Sequence, residues 1–253
     1  IDEAWVWFSG GFGEVRIGSD DDALANTCIM PPGGTANFSA FSPNQWGANS
    51  IESNTACTGV DALSDAQKIL YITPVFYGFQ LTTSYTPSQF AESHVNDGGP
   101  HLGMPLKFEQ QSDYGVSAYL TYSYEGEDWG VTLGGGVSLE NGTDTVSAGS
   151  TSIEVNDQDF YQAGLTVVLG NFAIGGAFEY MNDITNATLS DGTDSVHIEQ
   201  DSWIAGGGVS YMHDAWTFGA QYSYREDDFT FFDFDLEHRQ HHGVLTANYA
   251  LGP

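Results

Sequence analysis

The sequence predicts an all-β fold: an antiparallel, up-and-down β-barrel that crosses a membrane. The first of three observations is alternation, because small polar side chains alternate with apolar ones over 114–124 and again over 216–225. A period of two places the two sets on opposite faces of a strand. The polar set is nearly uncharged, whereas the solvent face of a soluble sheet carries residues such as Lys and Glu. This pattern is typical of a wall with lipid outside and water inside.

The second observation is that the connections between strands are alternately short and long. Alternation and turn residues predict eleven strands, at 3–9, 13–18, 67–73, 78–86, 114–124, 130–140, 159–169, 172–181, 200–211, 216–225 and 237–250. The long connections between them are 19–66, 87–113, 141–158, 182–199 and 226–236. Strict alternation places all tight turns at one end of the sheet, as in outer-membrane barrels.

The third observation is that Tyr and Trp side chains lie at or near the ends of the predicted strands. Amphipathic rings at these places favour the headgroup level of a membrane. No segment approaches the ~18 to 20 uninterrupted apolar residues that a membrane helix needs. The spanning elements are therefore expected to be strands, with lipid-facing side chains at Leu120, Leu133, Leu165, Phe178 and Phe218.

An up-and-down antiparallel barrel closes without a parallel seam only if its number of strands is even. Eleven strands do not satisfy this condition, and the sequence begins within one strand pattern and ends at Pro253 within another. We therefore expect 1–253 to be a single barrel domain that is an internal fragment of a longer barrel.

The charge balance excludes some partners. The chain has 34 acidic and 5 basic residues, a formal net charge of -29, which argues against nucleic acid and anionic surfaces as partners. The acidic residues concentrate in the long connections, while the strand centres are nearly uncharged. One interpretation is solubility in a saline habitat. The other is a field that concentrates cations at the mouth of an aqueous passage.

The connection 19–66 is too long for a passive loop. It contains several large apolar side chains, which predicts that it packs either inside the barrel or on itself outside. Cys28 and Cys57 both lie in it and are the only cysteines of the chain. They predict a disulfide formed in an oxidising compartment, with two free buried thiols as the alternative.

Charged residues flank this loop on the two strands that it joins. Alternation puts Glu14, Arg16 and Lys68 on the inner face of the barrel. The loop supplies carboxylates that we expect to face them: Asp20, Asp21, Asp22, Glu52, Asp61 and Asp65. Opposed charges across a constriction would order polar solutes and select them by charge. The alternative is that these are solvated residues of a wide pore.

Metal sites and catalytic sites are not predicted. His238 and His242 share a strand face, but they lie about 13 Å apart at ~3.3 Å per residue and cannot hold one ion at bond lengths near ~2 Å. Segments 141–144 and 191–194 resemble Ca²⁺ loops without the full pattern. We expect these to be loop tips, with adventitious Ca²⁺ at the acidic loops as the alternative. No catalytic or phosphate-binding motif is found, so we predict no cofactor and no enzyme.

Two segments of the chain resemble the Gram-negative general porins, particularly the Rhodobacter-like type of alphaproteobacteria. The first, 5–18, reads Trp-Val-Trp-Phe-Ser-Gly-Gly-Phe-Gly-Glu-Val-Arg-Ile-Gly, and the second, 68–81, reads Lys-Ile-Leu-Tyr-Ile-Thr-Pro-Val-Phe-Tyr-Gly-Phe-Gln-Leu. The resemblance implies a sixteen-stranded barrel that assembles as a homotrimer in the outer membrane of a Gram-negative bacterium, among lipid and lipopolysaccharide. It also implies that the loop 19–66 folds inward as the constriction.

The leading hypothesis from these observations is a water-filled channel for passive diffusion of small hydrophilic solutes, with a preference for cations. One alternative is a non-conducting outer-membrane barrel that acts as a surface adhesin or envelope anchor. Another is a soluble acidic β-sheet protein that binds carbohydrate. Dependence on detergent distinguishes the soluble protein from the other two, and conductance in a planar bilayer distinguishes the channel from the anchor.

Overall fold

The computed structural model describes residues 4–34, 40, 66–87, 112–142, 146–148, 151–155, 157–182, 187–190, 195–231 and 234–250. Within these residues the chain forms one antiparallel sheet of 14 strands. Eleven of them build a continuous wall: β1 Ala4–Gly10, β2 Gly13–Ser19, β3 Gln67–Ile72, β4 Phe79–Thr86, β5 Ser112–Glu125, β6 Trp129–Gly142, β9 Gln158–Leu169, β10 Phe172–Asn182, β12 Ser195–His213, β13 Trp216–Phe231 and β14 Phe234–Tyr249. The short strands are β7 Val146–Ala148, β8 Thr151–Val155 and β11 Ala187–Ser190, and the helix α1 is Ala23–Thr27.

Each wall strand pairs antiparallel with the wall strand that follows it along the chain. This is the predicted up-and-down topology, and all eleven predicted strands are present. The three short strands were not predicted; they pair at the end of the sheet where the long connections lie, β7 on β8, β8 on β11 and β11 on β12. Among the described residues, no helix is long and apolar enough to cross a bilayer.

The predicted long connection 226–236 is wrong. β13 continues through the acidic residues to Phe231, β14 begins at Phe234, and Asp228 pairs with Glu237 in the ladder between them. The acidic composition indicated a loop, but a strand that continues past the lipid is surrounded by water and tolerates carboxylates while its ladder hydrogen bonds persist. The prediction for 182–199 is wrong in part for the same reason, because β12 already begins at Ser195.

The tight turns lie at one end of the wall, as predicted. The turn between β9 and β10 consists of Gly170 and Asn171, and Gly170 has a φ of 56°. Asp214, in the turn between β12 and β13, has a φ of 51°. Positive φ angles match the right-handed twist of the strands in short hairpins, and Gly and Asp adopt them at low cost.

The strand register defines an inner and an outer face of the wall. The Tyr119 hydroxyl accepts a hydrogen bond from the loop that follows β2. Tyr119 is the register partner of Thr82 and of Gly136, and Gly136 is in turn the partner of Gln162. These positions therefore face inward. The five residues predicted to face lipid lie at the opposite positions, and their side chains are 44% to 48% exposed. By contrast Ser117 and Gln221, on the inner face, are buried.

Aromatic rings on the outer face form two girdles. The girdle at the short-turn end contains the pairs Phe79–Tyr122, Tyr124–Trp129, Phe172–Tyr211 and Trp216–Tyr249. The girdle at the long-loop end contains Tyr161–Tyr180 and Trp203–Tyr224. Phe172 and Tyr180 of β10 are separated by about 26 Å along the strand at ~3.3 Å per residue. At a strand tilt of ~35–45° this is roughly 20 Å along the membrane normal, somewhat less than an apolar band about 25 Å tall. β12 and β13 extend beyond the second girdle into water.

Candidate functional site

The chain turns inward directly after β2. Asp22 caps α1: its carboxylate accepts a hydrogen bond of 2.9 Å from the main-chain N–H of Ala25 and another of 2.7 Å from the hydroxyl of Ser138 on β6. The Ser117 hydroxyl on β5 accepts from the N–H of Ala23 at 2.9 Å. Leu24 is fully buried. The helix is too short to be stable alone, so these contacts with the inner wall hold it in place.

Asp22 is a buried carboxylate. Burial raises the pKa of this group above its usual value, although the Ala25 N–H, the Ser138 hydroxyl and the nearby Lys68 act in the opposite direction. A raised pKa means that the neutral acid is favoured in the docked loop more than in water. Asp22 therefore acts as a structural cap of the loop.

The segment 28–34 then runs along the inner wall from β5 to β14. The N–H of Ile29 donates to the Tyr119 hydroxyl at 3.2 Å, and the Gln162 amide donates to the Ile29 carbonyl at 3.1 Å. The Gln221 amide donates to the Pro31 carbonyl at 2.6 Å. The Thr246 hydroxyl donates to the carbonyl of Gly33 at 2.8 Å. The described part of the loop thus folds into the barrel, as the resemblance implied.

Glycines on the inner face make room for this segment. A Cβ atom on Gly164 of β9 would lie 2.4 Å from the Ile29 carbonyl oxygen, and one on Gly208 of β12 would lie 2.0 Å from the Pro32 carbonyl oxygen. A Cβ on Gly219 of β13 would lie 2.3 Å from the Gly33 carbonyl oxygen. Any side chain at these positions would displace the loop backbone. We call Gly164, Gly208 and Gly219 the glycine seat.

Arg16 is the centre of a charged cluster where β2 meets the loop. Its Nε lies 2.7 Å from Glu14 Oε1 and its Nη1 3.2 Å from Asp20 Oδ2. Nη1 also donates to the side-chain carbonyl of Asn26 at 3.1 Å. The guanidinium carbon lies 4.5 Å from the ring centroid of Trp5, a cation–π arrangement. Several independent contacts therefore fix the position of this guanidinium.

Lys68 lies on β3, beside Arg16. Its side chain is buried, and its ammonium donates to the main-chain carbonyl of Asp20. The Asp20 carboxylate also accepts from the N–H of Asp21 at 3.0 Å. Lys68 and Arg16 together hold the first residues of the loop against the wall.

The structure thus brings together six of the predicted site residues: Glu14, Arg16, Asp20, Asp21, Asp22 and Lys68. Asp20 and Asp22 are buried, whereas the side chains of Glu14 and Arg16 are 28% and 20% exposed. The other predicted carboxylates, Glu52, Asp61 and Asp65, lie outside the described residues. Cys28 is disulfide-bonded; Cys57 is also outside the described residues, so the pairing of these two stays a prediction.

A second ion pair lies on the inner face of β13. Arg225 Nη2 is 2.6 Å from Asp227 Oδ1, and both side chains are 3% exposed. His238 Nδ1 on β14 lies 3.7 Å from the other Asp227 oxygen. Within the described residues no cluster of His, Cys, Asp or Glu has the arrangement of a metal site. This ion pair was not predicted, because Glu226 to Asp228 were assigned to a loop.

Two features of the sequence could have located the rest of the loop anchor. Asp22 followed by Ala-Leu-Ala is an N-cap followed by helix-forming residues. Gly164 and Gly208 occupy inward positions of the alternation, where a glycine indicates close approach of another backbone. The inward glutamines Gln162 and Gln221 carried no such signal, because any polar inner face contains residues of this kind.

Comparison with known proteins identifies the family. A family model described as Gram-negative porin matches residues 1–253. The chain belongs to the Gram-negative porin family. This porin is an outer-membrane protein, and its family is one of channels rather than enzymes. No curated protein sequence matches it.

A solved structure with a similar fold is also an outer-membrane protein. The outer-membrane expressed OmpT of Vibrio cholerae superposes with a TM-score of 0.55 at 14% identity, over 99% of this chain and 66% of that one. This porin chain therefore spans just under two thirds of the length of that protein. An anion-selective porin from Comamonas acidovorans gives a TM-score of 0.39 at 14% identity, over 96% of this chain and 76% of that one. The first similarity supports the barrel fold, and the second is too weak to bear on selectivity.

Proposed function

We propose that the full-length protein is a water-filled channel for the passive diffusion of small hydrophilic solutes, with a preference for cations. The observation that carries the proposal is the loop after β2, which is seated on the inner wall from β5 to β13 by hydrogen bonds at Ser117, Gln162 and Gln221. A segment fixed flat against the wall narrows a barrel without filling it.

The charged cluster gives this constriction its polarity. Glu14 and Arg16 retain partial exposure on the inner face of β2, while Asp20 and Asp22 are enclosed by the loop. Solutes that pass beside β2 would therefore meet a partly exposed carboxylate and a partly exposed guanidinium side by side. Fixed charges at a narrow point select ions by sign and orient polar solutes.

The preference for cations follows from how the few basic groups are used. Three arginines are described, and each pairs with carboxylates: Arg16 with Glu14 and Asp20, Arg225 with Asp227, and Arg239 with Glu226 and Glu237. Their positive charge is thus neutralised locally. The remaining carboxylates of a chain with a net charge of -29 would give the passage a negative potential that attracts cations.

Two further parts of the proposal concern what surrounds the barrel. The exposed apolar band and the two aromatic girdles of the outer face fit the lipid of the outer membrane. We also propose a homotrimer, on the basis of the resemblance to the general porins.

The test is electrical. The full-length protein is inserted into a planar bilayer, and its conductance and its reversal potential in a KCl gradient are measured. We expect stable conductance with a reversal potential of cation-selective sign. Glu14→Gln should shift the reversal potential towards anions, because it leaves Arg16 less compensated. The control Asp214→Asn, in the tight turn between β12 and β13 where the side chain is 89% exposed, should shift it less.

Each failure of this test has a definite meaning. Absence of conductance in correctly folded protein would favour the non-conducting adhesin or anchor. An anion-selective sign at low salt would refute the preference for cations and leave the channel intact.

A further inference from the structure

Two tryptophans of β1 lie on the inner face of the wall, where an aqueous passage would be. The register pairs Trp7 with Arg16 and Trp5 with Gly18, and directly opposite residues of an antiparallel pair share a face. The position of Arg16 over the ring of Trp5 agrees with this assignment. The other tryptophans that the structure describes, Trp129, Trp203 and Trp216, belong to the outer girdles. The girdles therefore do not account for Trp5 and Trp7.

The two inner rings have different surroundings. Trp5 is fixed by Arg16, which is itself held by Glu14 and Asp20. The rings of Trp5 and Trp7 meet edge to face, with centroids 5.4 Å apart and planes at 65°. Trp7 is 59% exposed. The cluster around Arg16 thus positions Trp5, and Trp5 supports an open indole ring at Trp7.

Polar groups surround this open ring. Ser9 pairs with Glu14 on the same inner face. Each lies two residues along its strand from the pair formed by Trp7 and Arg16. Glu14 accepts hydrogen bonds and Arg16 donates them. Because Glu14 and Arg16 are 2.7 Å apart and compensate each other, the immediate neighbourhood of Trp7 offers hydrogen-bonding groups of both kinds around an apolar face.

We propose that Trp7 is the stacking surface of a solute-binding site for neutral saccharides, with Glu14, Arg16 and Ser9 as the groups that bind the sugar hydroxyls. A pyranose ring has an apolar face of C–H groups that suits the electron-rich face of indole, and a rim of hydroxyls that both donate and accept. This inference rests on the proposed channel, and it names a class of solute that the channel would retain briefly during passage.

An organic cation is the competing ligand, since cations also bind aromatic faces. The charges on this face favour the saccharide. A guanidinium already covers Trp5, and Glu14, which lies two residues from Arg16 on the inner face of β2, is paired with that guanidinium. With Glu14 and Asp20 both engaged by Arg16, an additional cation would find no uncompensated carboxylate of this cluster to pair with, whereas a neutral polyol needs only hydrogen-bonding groups.

The experiment measures single-channel current through the full-length protein with maltohexaose as the probe. Binding should appear as brief interruptions of the current. Trp7→Ala should shorten their mean duration about threefold to tenfold, the range expected for the loss of one aromatic contact, and Trp7→Phe should give an intermediate duration. The matched control is Phe8→Ala, the neighbouring residue of β1, whose ring is 60% exposed on the opposite face and should leave the interruptions unchanged.

Two further probes discriminate the ligand class. Polyethylene glycol of similar mass lacks pyranose faces and should give no interruptions that depend on Trp7. Interruptions of equal duration in the wild type and Trp7→Ala would overturn the proposal. So would a dependence on Trp7 that appears with tetramethylammonium and not with maltohexaose.

The failure of the channel and the failure of the saccharide site can be told apart. If the protein does not conduct, the proposed function fails, and the site is then tested by titration calorimetry of maltohexaose into the detergent-solubilised protein. Weaker binding by Trp7→Phe than by the wild type, with Phe8→Ala unchanged, supports the site. Equal binding by all three rejects it. Circular dichroism of each variant confirms that the barrel has formed.

Discussion

At the residue scale, alternation predicted which charged strand residues face inward, and the loop carboxylates had no comparable signal. Glu14, Arg16 and Lys68 are on the inner face because a strand has a fixed period of two. Asp20 and Asp22 are predicted to line the constriction, but they are buried where the start of the loop contacts the wall. A loop has no period from which burial can be inferred, so only the packing of α1 on the wall shows that these two acids serve as anchors.

Asp22 provides a prediction about that anchor. Asp22→Ala removes the acceptor for the Ala25 N–H and the Ser138 hydroxyl, which should destabilise the docked loop by about 1 to 2 kcal/mol. Asp22→Asn keeps an acceptor and should destabilise the docked loop much less than Asp22→Ala, since Asn caps helices as well as Asp does. Hydrogen exchange of the main-chain amides in 23–34 measures the difference, and equal exchange in the two variants would contradict the capping role.

The raised pKa of Asp22 also predicts that the stability of the docked loop depends on pH in the wild type. The favourable contribution of the protonated group is fully present below the ordinary value near ~3.9 and is lost as pH rises through the raised pKa. Amide protection of the loop should therefore weaken over that interval in the wild type. Asp22→Asn cannot titrate and should show no such step.

At the element scale, the wall was predictable and its additions were not. The eleven wall strands follow from alternation between lipid-facing and inward side chains. The short strands β7, β8 and β11 lie at the long-loop end, beyond the second girdle, where no lipid imposes such a pattern. A glycine inside a strand can mark a bend or a site where another backbone approaches closely. The structure shows that Gly164 and Gly208 accept the loop backbone.

The glycine seat can be tested by adding one methyl group. In Gly164→Ala the new Cβ would lie 2.4 Å from the Ile29 carbonyl oxygen, so the loop backbone must move and its amides should exchange faster. Gly135→Ala on β6 is the control, because its Cβ would come no closer than 3.4 Å to any atom and points to the outer face. Faster loop exchange in both variants, or in neither, would show that the seat does not hold the loop.

The assignment of β6 side chains to the lipid face or to the interior can also be tested. Leu133 is 44% exposed on the outer face, and its neighbour Thr132 faces inward, where Ser123 donates to its hydroxyl at 3.4 Å. Leu133→Arg places a charge in hydrocarbon and should destabilise the folded barrel by about 2 to 4 kcal/mol at mid-bilayer. Thr132→Arg places the same charge in an aqueous interior and should cost much less. Equal effects on folding into lipid vesicles would show that the facing assignment is wrong.

At the scale of the whole molecule, the proposed preference for cations depends on how few basic residues this acidic chain contains. The chain has 5 basic residues against 34 acidic ones, and the three described arginines are used in ion pairs on the wall. Composition predicted the sign of the overall field. It could not predict that each described arginine is paired with carboxylates, so that the uncompensated charge is that of the remaining carboxylates. Pairing depends on which strands become neighbours.

The last prediction concerns the salt dependence of selectivity. Charges on exposed loops are screened beyond a Debye length of ~8 Å at physiological ionic strength and ~3 Å at 1 M, whereas carboxylates at a narrow point are screened less. The preference for cations should therefore decline as KCl rises, without disappearing. Neutralising Asp61 or Asp65, which we predict to lie in the constriction loop, should reduce the preference that persists at high salt more than neutralising Asp191 or Asp194. Reversal potentials of the full-length protein over a series of KCl gradients at fixed ratio measure both effects. A preference that is independent of salt would place its origin in the constriction alone, and one that vanishes completely at 1 M would place it in the outer loops.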